Sequence, residues 1–190
     1  MNVDELRSDL AVRNKKGMSF ILASVFIWAG ILIVWTLPTD NFWIRNMLTF
    51  CLSVPLMPLS FLISKVIKAE FSAKDNPLNK LGILFSMNEL LYILIAMWAF
   101  SDAPDSMVMV LAMIFGAHLL PFSWLYRSTA YLVMSVVVTL GALITGCYFS
   151  TDKIYMIPAV MLVFEIIFTV WLVFENRVLS EEKVKPGQSC

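Results

Sequence analysis

The fold is decided by residues 80–127, which read KLGILFSMNELLYILIAMWAFSDAPDSMVMVLAMIFGAHLLPFSWLYR. This stretch contains two apolar segments, 81–100 and 107–126, and a short acidic turn, 101–105, joins them. Each segment is about as long as the ~20 residues with which an α-helix crosses the hydrocarbon core of a bilayer. We therefore predict a hairpin of two transmembrane helices.

The rest of the chain repeats this pattern. The chain of 190 residues is 59% hydrophobic and 15% charged, with a mean hydropathy of +0.80. A soluble domain is closer to a quarter charged, so this composition favours a membrane protein. We predict an all-α fold, a polytopic integral membrane bundle of six transmembrane helices, with spans at about 18–37, 42–63, 81–100, 107–126, 130–149 and 154–174.

Polar segments flank this transmembrane domain, 18–174. In residues 1–17, Val3, Leu6 and Leu10 recur at helical spacing among charged residues, which predicts a cytoplasmic amphipathic helix at the membrane surface. Residues 175–190 are polar and contain Pro186 and Gly187. We expect this tail to be disordered.

The basic residues indicate the orientation. In a six-span topology, Arg45 and Lys153 lie on one side and all the other basic residues lie on the opposite side. Basic residues accumulate on the cytoplasmic side of membrane proteins, so we predict that both termini are cytoplasmic. The residues on that side are Arg7, Arg13, Lys15, Lys16, Lys65, Lys68, Lys74, Lys80, Arg127, Arg177, Lys183 and Lys185.

Three ionisable side chains lie well inside the spans: Glu89, Glu165 and His118, the one histidine of the chain. At a rise of 1.5 Å per residue, each lies roughly 13–15 Å from its cytoplasmic boundary, near the middle of the bilayer. Charged groups at this depth usually face the bundle interior and often mark proton or ion routes. We predict a proton- or ligand-binding site comprising Glu89, His118 and Glu165, with Asn88 beside it. Asn46 and Thr169 are further polar candidates.

A structural interpretation of the same residues remains open. Each glutamate could be protonated, or could form a helix–helix hydrogen bond that fixes packing. The motifs Glu89-Leu-Leu-Tyr92 and Glu165-Ile-Ile-Phe168 share one pattern, which would suit two inverted three-span repeats.

Four prolines inside the predicted spans predict helix kinks, because proline lacks the backbone N–H and disrupts the hydrogen-bond ladder. These are Pro55, Pro58, Pro121 and Pro158. Pro121 would free a carbonyl near residue 117, beside His118. Gly141 and Gly146 give the fifth span a small-residue face for close helix packing.

Enzyme chemistry has little support. The three cysteines form no CxxC pair, and the chain has no HExxH motif. We interpret Met107, Met109 and Met113 as flexible packing residues rather than copper ligands. We expect no enzyme activity, no cofactor, no metal and no nucleic-acid partner.

Two stretches resemble a known family. Residues 74–78, KDNPL, with Leu81-Gly82, resemble a cytoplasmic loop, and residues 116–122, GAHLLPF, with Trp124-Leu125-Tyr126, resemble the fourth span of a family of small bacterial membrane proteins of unknown function. The resemblance covers nearly the whole chain. It implies a bacterial cytoplasmic membrane protein of Gram-positive type and no particular activity. His118 lies within the shared pattern, whereas the glutamates do not.

Three functions are compatible with these features. The leading hypothesis is a proton-linked transporter or small-ligand-binding protein that uses the midplane Glu/His site. The alternative is a structural or regulatory membrane protein that acts through a partner or as a homo-oligomer. An intramembrane enzyme is the third. In each case the protein lies in the lipid bilayer. If it is a transporter or binding protein, we expect its ligand to be a small molecule or an ion.

Overall fold

The computed structural model describes residues 2–39, 41–149 and 153–184, and the described residues contain helices and no strands. Six of these helical segments are long and apolar enough to cross a membrane, which confirms the predicted fold class. The helices are α1 (Val3–Arg13), α2 (Met18–Thr36), α3 (Phe42–Ser53), α4 (Leu56–Val66), α5 (Leu78–Asp102), α6 (Met107–Tyr126), α7 (Thr129–Tyr148) and α8 (Met156–Val184), with a short 3-10 turn at Lys15–Gly17.

The prolines interrupt the helices less than predicted. One break occurs at Pro55, which separates α3 from α4 inside the second span. Pro58 and Pro158 are each the third residue of a helix, where the backbone N–H has no partner within the helix in any case. Pro121 lies inside α6, which continues through it to Tyr126. Pro58 and Pro158 therefore fit into the first turn of their helices, and neither position requires the kink that was predicted there.

The core lies between α2, α6, α7 and α8. Trp28 and Ile31 of α2, Val138 of α7 and Phe168 of α8 are all buried in one cluster. Helix α5 lies at the periphery and packs mainly against α6, whereas α3 and α4 pack mainly against α2. The position of α5 in the bundle therefore depends mainly on α6.

A glycine allows the closest helix contact. A Cβ on Gly116 of α6 would lie 2.7 Å from the backbone nitrogen of Thr139 in α7. Such a separation is too short for any side chain, so glycine is required for α6 and α7 to approach this closely. Because His118 is two residues further along α6, the same contact sets the position of the imidazole.

A helix forms over the segment predicted to be the amphipathic lead-in, and it packs against the bundle. Asn2 and Glu5 form a capping box at the start of α1. Leu10 is buried, and the guanidinium of Arg7 donates to the carbonyl oxygen of Trp124 at the end of α6. Helix α1 is thus tied to the end of the bundle.

The C-terminal segment differs from the prediction. Helix α8 continues to Val184, so residues 175–184 are helical rather than disordered. Contacts of Glu175 and Asn176 with other elements hold the first part of this extension in place. The remaining residues of the predicted tail, 185–190, the turn at 150–152 and Asp40 lie outside the described residues.

Candidate functional site

Glu89 and His118 form a pair between α5 and α6. Nε2 of His118 lies 3.4 Å from Oε2 of Glu89. The side chains are 12% exposed for His118 and 20% exposed for Glu89, so the pair is sheltered without being sealed. Each residue is roughly 15 Å along its span, near the middle of the bilayer. The structure therefore brings together two of the three predicted site residues.

The surroundings of the imidazole are aromatic. The rings of Phe115 and Phe122 lie edge-on to His118, at centroid distances of 5.2 and 6.1 Å. Nδ1 of His118 is buried and has no hydrogen-bond partner among the described residues. Among the described residues, the polar contact of the imidazole is therefore the one that Nε2 makes with Glu89.

This pair has a simple charge balance. With one proton between them, the two groups are either carboxylate and imidazolium or carboxylic acid and imidazole, and both states are neutral overall. A second proton, or none, leaves a net charge in an apolar environment, which is unfavourable. The pair is therefore suited to hold one exchangeable positive charge.

Asn88 is not part of this pair. Consecutive helical residues are about 100° apart around the axis, and Asn88 lies on the exposed side of α5 while Glu89 faces α6. The described residues include no hydrogen-bond partner for the Asn88 amide. The polar atoms of Asn88 thus point toward the lipid-facing surface.

Glu165 lies in a different environment. It is fully buried, and its Oε2 lies 2.5 Å from Oγ of Ser24 in α2. No described hydrogen bond or ion pair links Glu165 to Glu89 or His118. The structure therefore separates the third predicted residue from the other two.

Proton counting favours an uncharged Glu165. Oγ of Ser24 lies 2.8 Å from the carbonyl oxygen of Ile21 as well as close to the Glu165 carboxyl, yet a hydroxyl has one proton to donate. Since a carbonyl can only accept, a serine that donates to Ile21 must accept from a protonated Glu165. Burying an unpaired carboxylate costs free energy, which also favours the protonated form of Glu165.

The other polar candidates are also apart from the Glu89–His118 pair. Thr169 lies one turn after Glu165 on α8, and its Oγ1 and the Oε1 of Glu165 are buried without partners among the described residues. Asn46 donates to the carbonyl oxygen of Pro104 beyond the end of α5. The two motifs that suggested inverted repeats also differ, since Tyr92 is 40% exposed and Phe168 is fully buried.

A buried network that the sequence analysis missed lies at one end of the bundle. Nζ of Lys16 is 2.7 Å from Oε2 of Glu175, and the Ser128 hydroxyl and the Ala130 backbone N–H also donate to this carboxylate. The Tyr131 hydroxyl donates to the Lys16 carbonyl. Glu175 of α8 is therefore bonded to the 3-10 turn before α2 and to the start of α7. The sequence has no local signal for this network, because Lys16 and Glu175 lie at span boundaries, where charged side chains usually face water.

A second cluster joins α1 to the polar loop before α5. The Arg13 guanidinium contacts Glu70 at 2.7 Å and Asp75 at 2.6 Å, and it also contacts Asp9. These hydrogen bonds raise the pKa of Arg13, and the guanidinium holds the pKa of Asp75 below its usual value. The described residues contain no group of three or more His, Cys, Asp or Glu side chains placed to hold a metal ion.

The chain matches the model of a known protein family over residues 3–175, described as a family of unknown function, DUF7010. The chain belongs to this family. This match confirms the resemblance noted in the sequence, and it extends from α1 into α8 of the DUF7010 chain. No curated protein and no solved structure matches it.

The DUF7010 match includes Glu89, His118 and Glu165, together with Arg13 and Glu175. The family description assigns no activity to any of these residues.

Proposed function

We propose that the protein is a proton-linked membrane transporter or binding protein in which the Glu89–His118 pair exchanges a proton for a lipophilic organic cation. The observation that carries this proposal is the 3.4 Å separation between the two ionisable groups in the middle of the spans. A single neutral pair at this depth can exchange one positive charge for another without placing a net charge in the membrane.

The chemistry of the exchange is balanced. A cation that binds beside the Glu89 carboxylate replaces the positive charge of the imidazolium, and His118 then releases its proton. One cation enters as one proton leaves, so the charge of the site is unchanged. The rings of Phe115 and Phe122 next to His118 supply apolar contact surface for a lipophilic cation, and a cation is attracted to the face of such a ring.

The partial exposure of the pair supports access from the surface of the bundle. The Glu89 side chain is 20% exposed at the edge of the α5–α6 contact, which leaves it accessible to ligands that partition into the bilayer. Apolar cations do so, whereas small inorganic ions do not. We therefore expect a lipophilic organic cation in preference to sodium or potassium.

The orientation forms part of the proposal. The basic residues of α1, of the loop before α5 and of the α6–α7 turn meet at one end of the bundle, as the contacts of Arg7 and Arg13 illustrate. Together with the positive-inside rule, this arrangement supports a bacterial cytoplasmic membrane protein with both termini inside.

Tetraphenylphosphonium is a suitable probe. We expect the purified protein to bind it saturably, to release about one proton per cation into a weakly buffered solution, and to bind it more tightly as the pH is raised. Glu89→Gln should abolish binding, whereas Glu165→Gln, a matched substitution at a site apart from His118, should retain it.

Two results would contradict this function. One is the absence of saturable binding by a folded protein, and the other is equal binding by the wild type and Glu89→Gln. Either result would favour the alternative, a structural or regulatory membrane protein whose buried polar groups serve packing.

A further inference from the structure

Helix α5 is the least buried span. In its most apolar window, 11% of the residues are buried inside the bundle, compared with 44% for the first span. One side of α5 packs on α6, and the opposite side carries Leu84, Leu91 and Trp98, each about 60% exposed. These three residues are seven apart, so they form a straight stripe along the helix.

Asn88 and Ile95 complete this stripe. They are also seven apart, and they alternate with the first three residues at intervals of three and four, which is the spacing of the a and d positions of a helix pair. We name this surface the α5 outer face: Leu84, Asn88, Leu91, Ile95 and Trp98. It carries no charged residue.

The position of Asn88 distinguishes this face from an ordinary lipid-facing surface. Asn88 is the eleventh residue of α5, about 15 Å from its start and near the bilayer centre. Among the described residues, it is the one amide-bearing or charged side chain that is exposed in the middle of a span. An amide that faces hydrocarbon lacks hydrogen bonds, and pairing with another helix supplies them.

We propose that the α5 outer face joins two copies of this chain in a parallel, two-fold symmetric dimer, with Asn88 bonded to Asn88 of the second copy. All copies insert in the same orientation, so a two-fold axis along the membrane normal places equivalent residues at equal depth. An amide both donates and accepts, so Asn88 satisfies its own equivalent. The absence of charge on the face removes repulsion between copies.

This inference is independent of the cation-exchange function. Glu89 faces α6, away from the α5 outer face, so the dimer neither supplies nor blocks the Glu89–His118 pair. Loss of cation binding in Glu89→Gln and loss of dimerisation in an Asn88 variant are therefore separate results.

Cysteine cross-linking in membranes tests the interface. In full-length protein with its native cysteines replaced by serine, single cysteines are introduced by Leu84→Cys, Leu91→Cys and Trp98→Cys. The matched control is Ile33→Cys on α2, because Ile33 is also 63% exposed. We expect disulfide-linked dimers at the three α5 positions and none at the control.

The role of Asn88 is tested by energy transfer between labelled copies in liposomes at varied protein-to-lipid ratios. We expect Asn88→Leu to weaken dimerisation roughly 3-fold to 20-fold, the range for a single interhelical hydrogen bond in a membrane. Asn88→Gln, which keeps the amide, should restore most of it. Cysteine-linked dimers at Ile33 rather than on α5, products linked to a different protein, or monomers at all ratios would overturn the proposal.

Discussion

Nε2 of His118 lies 3.4 Å from Oε2 of Glu89, and this contact crosses between two helices that are adjacent in the chain. The pair is partly exposed and flanked by aromatic rings, whereas Glu165 is sealed in the core against Ser24. The two carboxyl groups lie at similar depth, but one faces an imidazole and is partly exposed, whereas the other is buried against a serine. We propose exchange of positive charge for the first site and helix packing for the second.

The Glu89–His118 contact should be measurable as a coupling free energy. We expect the double variant Glu89→Leu/His118→Leu to be less destabilised than the sum of the two single variants. The reason is that each single variant leaves one polar group without its partner, whereas the double variant removes both groups. Double-mutant cycles in membrane proteins give about 0.6 kcal/mol on average and up to about 1.7 kcal/mol. Thermal unfolding of the wild type and the three variants in detergent measures this coupling free energy, and a value of zero would contradict the contact.

Glu165 should behave as a neutral hydrogen-bond donor. A glutamine can donate to Ser24 as a protonated carboxyl does, so we expect Glu165→Gln to change the free energy of unfolding by less than about 1 kcal/mol. Ser24→Ala removes the partner of a buried group and should destabilise by about 1–3 kcal/mol.

Ser60→Ala is the control for Ser24→Ala. Ser60 is also fully buried, but its hydroxyl donates only to the carbonyl oxygen of Met57 in its own helix. We expect it to cost less than Ser24→Ala. If Glu165→Gln destabilised the protein by several kcal/mol, an ionised Glu165 would be the better description.

Acid should weaken the contact between α1 and the loop before α5. The pKa of Asp75 is lower in the folded protein than its usual value because Arg13 favours the carboxylate. Its contribution to stability is therefore present above the unfolded pKa of about 3.9 and is lost as the pH falls through the lower folded value.

The melting temperatures of the wild type and Asp75→Asn measure this effect. We expect a constant difference between pH 8 and pH 5 that shrinks below about pH 4. Asp102→Asn is a suitable control, since Asp102 is exposed and has no described hydrogen bond or ion pair. A difference that persists unchanged to pH 2.5 would argue against the Arg13 contact.

Two glycines should differ in their tolerance of alanine. At Gly116 the added Cβ meets the backbone of Thr139, which cannot move without shifting α7. At Gly146 it meets the flexible side chain of Met109, which can adopt another rotamer. We expect Gly116→Ala to cost roughly 1–3 kcal/mol or more and Gly146→Ala to cost less. The reverse order of unfolding free energies would be inconsistent with the α6–α7 packing.

The six spans could be predicted because their signal lies in hydropathy, which is a local property. Depth was predictable for the same reason, since residue counts place Glu89, His118 and Glu165 at one level. Depth does not determine which way a side chain points around its helix. Helix packing directs Glu165 toward α2 and Glu89 toward α6. No local sequence pattern reveals which helix each side chain faces.

The Lys16–Glu175 pair illustrates a second limit. Both residues lie at span boundaries, where charged side chains usually face water, so the sequence favoured solvent-exposed positions. The fold shields them from water because the 3-10 turn before α2 packs against α8 at Glu175. The contact also explains why α8 continues past residue 174.

The imidazole of His118 offers the most direct measurement of the central claim. The chain contains one histidine, so protein with ¹⁵N-labelled histidine gives the imidazole signals of His118 alone. At a pH where this imidazole is protonated, saturating tetraphenylphosphonium should convert the ¹⁵N spectrum to that of a neutral ring in the wild type, with no change in Glu89→Gln. A wild-type spectrum that stays the same on saturation would contradict proton-for-cation exchange at the Glu89–His118 pair.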